Sequence, residues 1–175
     1  MAQSLKNHTE AVSQDLPQLE QARFEPSNRR RLSAPGMRTF LAVADLWGLT
    51  EQERLRILGY PARSTYHKWA KQAREHAGFT LDADVLTRIS ADLGIYQALR
   101  VLFETEQEGL SWLRGPHQAT VFGGQPPINL MVDGTQDSLL TVRRFLDAAR
   151  GGLYMEPNEV DRNFIPYSDT DIHFS

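Results

Sequence analysis

Along most of this chain the apolar residues recur at the spacing of a helix face, and no segment shows convincing strand alternation. Met37, Phe40, Leu41 and Ala44 make one stripe, continued by Leu46 or Trp47. Val85, Leu86, Ile89 and Leu93 make a second, which Ile95, Ala98, Leu99 and Leu102 extend to about Phe103. Leu139, Val142, Leu146 and Ala149 make a third. Stripes of this kind bury their apolar side helix against helix, so the expected fold class is all-α.

The punctuation between the stripes sets the expected elements. Pro35 suits a first helical turn, which predicts a helix from about Ala34–Pro35 to Gly48. Thr50 followed by Glu53 reads as a capping box, opening a helix that carries Leu55 and Leu58 and stops at Gly59. After Pro61, Ser64 is expected to cap a helix over Thr65–His76. Asp82 is expected to cap a longer helix in which Gly94 is a candidate break. A short helix around Glu106–Leu113 ends at Gly115-Pro116, and the loop His117–Gln125 follows. Pro127 opens a short helix over Ile128–Val132, Asp133-Gly134 turns the chain, and Thr135–Ala149 is the last helix. Residues 1–32 are polar and weakly periodic, reading as a mostly disordered arm with at most a short helix near Glu10–Arg23 and a basic end at Arg29–Arg31.

The 175 residues suffice for one globular domain, or a small domain with an appendage. No apolar run reaches the length of a transmembrane span, and no apolar region follows Lys6 as in a signal peptide. The absence of cysteine excludes disulfides and thiolate zinc sites, which fits a cytoplasmic location. The net charge of −3 conceals an asymmetry: residues 1–76 hold 12 Lys/Arg against 8 Asp/Glu, and residues 77–175 hold 7 against 14. A basic front half joined to an acidic back half suggests two surfaces for two partners, the alternative being solvated faces that merely differ.

In the front half, a helix, a tight turn with Gly59 and Pro61, and a second helix make a helix-turn-helix pattern. Tyr66, Trp69, Ala70 and Ala73 fall on one side of the second helix, with His67, Lys68, Lys71 and Arg74 roughly opposite. Arg63, Ser64 and Thr65 lie at its N-terminal end, where base edges and phosphates are usually met. Residues 23–74 carry 11 basic and 4 acidic residues, the footprint of a DNA-binding surface or of a solvated basic face.

In the back half the informative string runs from Trp112 to Gly152. Trp112 and Leu113 read as buried anchors, Phe122-Gly123-Gly124 as a tight loop, and Pro126-Pro127 as a stiff helix entry. Fold maintenance alone would account for all of this. The string also resembles the toxin-binding module of the Xre/MbcA/ParS-like antitoxin family, whose members pair with RES-domain toxins. Trp112, Leu113, Pro116, Phe122, Gly123, Gly124, Pro126, Pro127, Leu130, Leu139, Val142, Leu146 and Gly151 carry the match, and the resemblance covers roughly Leu32–Gly152. It implies a helix-turn-helix in the front half that binds operator DNA, and a helical unit behind it that holds and blocks an NAD⁺-degrading toxin. The toxin-facing candidates are Trp112, Pro116, Phe122, Gly123 and Pro126, with Tyr154, Asp161 and Phe164 from the tail.

That tail, Leu153–Ser175, combines aromatic residues and two prolines with a net charge of −4, the composition either of a segment that orders on a partner or of a frayed terminus. The expected organisation is an arm (1–32), a helix-turn-helix-like region (33–78), a toxin-binding unit (79–152) and the tail (153–175). Expected partners are a RES-domain toxin and operator DNA, with assembly as a homodimer or a larger toxin–antitoxin complex and no membrane association. The competing readings are a stand-alone regulator whose back half only dimerises, and an interaction module without DNA binding. Catalysis is not expected. The five histidines lack metal-ligand spacing, there is no phosphate-binding glycine loop, and Asp82/Asp84 and Glu104/Glu106/Glu108 sit where helix caps and dipoles use carboxylates. No cofactor or metal is expected.

Overall fold

A computed structural model describes residues 25–152, and helices are the only regular elements among them. In chain order they are α1 (Pro26–Leu46), α2 (Glu51–Ile57), α3 (Arg63–Arg74), α4 (Ala83–Leu102), α5 (Glu106–Arg114), α6 (Pro127–Met131) and α7 (Gln136–Arg150). The all-α expectation is met. The expected short helix near Glu10–Arg23 and the tail lie outside the described residues.

Helix α4 is the organising element. It packs against α1 on one side and α7 on another, while α3 lies on α1, α5 on α4, and α6 bridges α5 and α7. The core runs continuously through these contacts. Met37, Phe40 and Ala44 of α1, Ile95 and Ala98 of α4, and Leu139 and Val142 of α7 are wholly removed from solvent. Burying each of the larger side chains among them contributes about 1.5–3 kcal/mol, so the stripes supply most of the driving force for folding.

Several boundaries differ from expectation, and residues 26–32, expected to belong to the disordered arm, are helical. Helix α1 begins at Pro26, and Pro35 lies inside it rather than in its first turn. Pro26 takes the N-terminal place, where a missing N–H costs nothing. The added turns are held from outside the helix: the buried Ser33 hydroxyl donates to the Arg29 carbonyl at 2.6 Å and accepts from the Leu81 N–H at 2.8 Å, while Arg29 reaches the Leu81 carbonyl at 3.4 Å. Pro35 is exposed, so the hydrogen bond it forgoes is lost on a solvated face. Gly94 does not interrupt α4; the Arg143 side chain of α7 occupies the space where a Cβ would stand. Glycine is there for close approach between helices rather than for a bend.

The Thr50–Glu53 box forms as read: Glu53 N–H donates to the Thr50 hydroxyl at 3.3 Å, and Thr50 N–H donates to the Glu53 carboxylate at 2.8 Å. Ser64, by contrast, is inside α3, whose N-cap is Ala62 without a side-chain bond. Asp82 holds the N-cap position of α4 but makes no capping hydrogen bond.

Candidate functional site

The front half presents α2 and α3 joined by a turn over residues 58–62. Two successive residues there adopt the left-handed region, Gly59 at φ 87° and Tyr60 at φ 61°. Tyr66, Ala70 and Ala73 of α3 are buried, and Arg38 of α1 donates to the Ala73 carbonyl at 3.2 Å. The opposite side is therefore fixed outward: Arg63, Ser64, His67, Lys68, Lys71 and Arg74 are exposed and Thr65 is half-buried. Lys68 and Arg74 have no ion pair among the described residues, and Lys71 meets only Glu75, at 3.9 Å. The amphipathic reading of this helix thus translates directly into a basic outer face.

Acids meet that face at two places, Glu75 beside Lys71 at its C-terminal end and Glu51 at its start. Glu51, the first residue of α2, accepts from Arg63 Nε at 2.6 Å and faces His67 Nε2 at 3.2 Å. A cleft of about 240 Å³ opens beside it, lined by Arg54, Tyr66, His67 and Arg74 among others. Inspection of α3 by itself does not reveal the contact, because it depends on how the turn sets α2 against α3.

The back half presents an aromatic block. Trp112 of α5 stacks on Phe145 of α7 at 6.1 Å and meets Phe122 edge-on at 5.9 Å. The His117 ring lies 5.0 Å from Phe122 and 5.3 Å from both Trp112 and Phe145. His117 Nδ1 accepts the Ala119 N–H at 3.1 Å, and its backbone N–H donates to the Gln125 carbonyl at 3.3 Å, closing the loop over 117–125. Partial burial among the rings lowers the His117 pKa, favouring the neutral ring that this acceptor role requires. Gly123 and Gly124 take φ values of 57° and 78°, the positive region expected of that pair.

Around this block the candidate residues separate. Phe122 is buried at 5% exposure and Trp112 is half-buried, so both shape the surface from beneath. Pro116 and Gly123 are exposed, and Pro126 is half-buried at the entry to α6. Tyr154, Asp161 and Phe164 lie outside the described residues. His117 and Phe145 belong to the block, although neither is among the toxin-facing candidates named from the sequence. Phe145 follows Val142 by three residues, which places it at the edge of the α7 stripe and was the available signal.

The two halves are fastened to each other. The buried Arg88 of α4 bonds Asp84 at 2.8 Å, the Ile57 carbonyl at 3.4 Å and the Gly134 carbonyl at 3.0 Å. The Tyr60 ring covers Gly134, and its hydroxyl lies 3.4 Å from the Asp133 carbonyl. Arg114 of α5 donates to the Trp47 carbonyl at 2.9 Å.

A family model described as the antitoxin Xre-like helix-turn-helix domain matches residues 27–91, and one described as the antitoxin Xre/MbcA/ParS C-terminal toxin-binding domain matches residues 98–152. The chain belongs to the Xre/MbcA/ParS antitoxin family. A relative from Sinorhizobium fredii (strain NBRC 101917 / NGR234), the uncharacterized protein y4oB, is 39% identical over 116 residues, covering 66% of this chain and 84% of that one. In this antitoxin the first match ends and the second begins within α4, so both domains draw on a single helix. The basic face of α3 lies in the first domain and the aromatic block in the second. Among the described residues no His/Cys/Asp/Glu group is arranged to hold a metal, and no helix is long and apolar enough to cross a membrane.

Proposed function

We propose that this antitoxin binds and blocks a RES-type, NAD⁺-degrading toxin with its back half and represses its own operon by binding operator DNA with α3. The observation that carries the toxin half is the toxin-binding match over residues 98–152, laid over a region built around the aromatic block. The choice of a RES-type partner rests on the resemblance of Trp112–Gly152 to antitoxins that pair with such toxins. Pro116, Gly123 and Pro126 are the proposed contacts on the surface, with Trp112 and Phe122 holding that surface in shape. Interfaces owe their affinity to a few rigid anchors, and interlocked aromatic rings provide a rigid support at low entropic cost.

The tail extends this proposal. Tyr154 and Phe164 are proposed as anchors and Asp161 as a charge partner, ordering against the toxin near its NAD⁺ pocket, where an acidic segment would stand in for phosphates. Ordering the backbone costs about 1–2 kcal/mol per residue, so the anchors must be strong. Co-purification with the product of the neighbouring reading frame tests both parts. A stable complex is expected with the full chain and a weaker one with a chain truncated after Gly152. Equal affinity would remove the tail from the interface, and no complex from a folded full chain would end the toxin assignment.

For the DNA half, Arg63, Ser64, Thr65, His67, Lys68, Lys71 and Arg74 are the proposed contacts. Replacing Lys68, Lys71 and Arg74 together with Ala should weaken promoter binding and lower its log–log salt slope by roughly 2–3 units, because three phosphate contacts no longer release counterions. Toxin binding should survive, since these side chains are exposed on α3 and lie outside the toxin-binding match over residues 98–152. An unchanged gel shift in a folded triple variant would move the DNA surface elsewhere, with Arg29–Arg31 the next basic cluster to test.

A further inference from the structure

We infer that Glu51 is a specificity-determining residue of the DNA-binding face: it holds Arg63 in a single orientation so that the guanidinium reads a guanine edge. The inference rests on α3 being the helix that enters the groove. The contact itself is set by the fold. Glu51 is the first residue of α2 and Arg63 the first of α3, and the turn between them brings the carboxylate to 2.6 Å from Arg63 Nε.

The choice of nitrogen matters. An arginine recognises guanine through two parallel hydrogen bonds, to O6 and N7, and uses a pair of guanidinium N–H groups to make them. Here the carboxylate takes the Nε–H, leaving the two terminal nitrogens as the outward fork on a side chain that is 77% exposed. No hydrogen bond or ion pair engages those terminal nitrogens among the described residues. An unrestrained arginine would lose substantial rotamer freedom on docking, whereas one already tied at Nε has lost part of it beforehand. His67 faces the second carboxylate oxygen at 3.2 Å, which fixes Glu51 in turn and brings the next turn of α3 into the same arrangement.

A carboxylate at this place also works against phosphate. It sits at the start of the basic face of α3 and repels the DNA backbone there, so it opposes sequence-independent binding while it orients the base-reading group. A residue that served only to stabilise the turn would not separate those two effects.

Selection of bound duplexes from a random-sequence library, using the full chain and its variants, reads them separately. The wild type should enrich sites with a guanine at one fixed position of each site. Arg63→Ala should lose that preference. Glu51→Ala should also relax it, by about tenfold at that position, while affinity for scrambled duplex holds or rises and its salt slope steepens by about one unit as the released Arg63 turns to phosphate. Combining Glu51→Ala with Arg63→Ala should cost no more discrimination than Arg63→Ala alone, since the first acts through the second. Glu51→Gln, which keeps an acceptor for Nε without the charge, should fall between wild type and Glu51→Ala. If Arg63→Ala loses the preference and a folded Glu51→Ala keeps it, the positioning role is overturned while the DNA reading stands. If the wild type enriches nothing, or Arg63→Ala enriches the same sites, the assignment of α3 fails and takes this inference with it.

Discussion

Asp92 shows how much one side chain can govern. It lies in α4 at 0% exposure, and neither carboxylate oxygen has a hydrogen-bond partner. Burial pushes its pKa up from 3.8 to about 8, so the folded protein carries it as the neutral acid at pH 7. The folded state therefore holds a proton that the unfolded chain releases above pH 3.8. The contribution of Asp92 to stability is therefore fully present below that pH and is lost as pH rises toward about 8, by up to ~1.4 kcal/mol per pH unit. Urea unfolding between pH 5 and 8 should show this decline, and Asp92→Asn should flatten it. An equally steep decline in the variant would assign the effect to other groups. The apolar stripe of α4 was legible in the sequence, but Asp92 was not read as buried. A stripe argument assumes one buried face, and α4 is covered from two sides by α1 and α7. The Glu51–Arg63 contact was hidden for a related reason, since helical periodicity orders residues within one helix and says nothing of which residue of α2 meets α3.

At the scale of elements, the local chemistry that was readable is the chemistry that closes within a few residues. Thr50 and Glu53 formed the expected box, and Thr105 with Glu108 forms a second of the same pattern at the start of α5, its two bonds at 3.2 and 3.0 Å. In the sequence, Glu108 reads as part of an acidic cluster suited to a helix end, and Thr105 stands outside that reading. Thr105→Ala should cost about 1 kcal/mol of unfolding free energy, the usual loss when an N-cap hydroxyl is removed. Because α5 carries Trp112, the loss should be accompanied by a change in tryptophan fluorescence at lower denaturant. A variant as stable as the wild type would show that packing alone fixes the start of α5. The failures at this scale were those in which tertiary contact overrode a local signal. Ser33 and Arg29 extend α1 past the Pro35 start signal by bonding Leu81, and Arg143 turns the Gly94 break signal into a packing site. Ser64 was a good cap in the wrong place, because the chain leaves its extended conformation at Ala62.

For the whole molecule, the two family domains share one core. Helix α4 packs on α1 and on α7, and Arg88 joins the end of α2 to the turn before α7. Cutting the chain between the halves would expose the α1-facing side of α4, so function is best tested in the intact protein. The proposed neutralisation of a toxin that consumes NAD⁺ is read in the cellular NAD⁺ level on expression of the neighbouring gene's product, with and without the antitoxin. The toxin by itself should deplete NAD⁺ and arrest growth. Co-expression of the full chain should restore both, and the variant with Lys68, Lys71 and Arg74 replaced by Ala should restore them equally well. NAD⁺ that stays depleted beside a folded, abundant antitoxin, or that never falls with the toxin, would rule this neutralisation out.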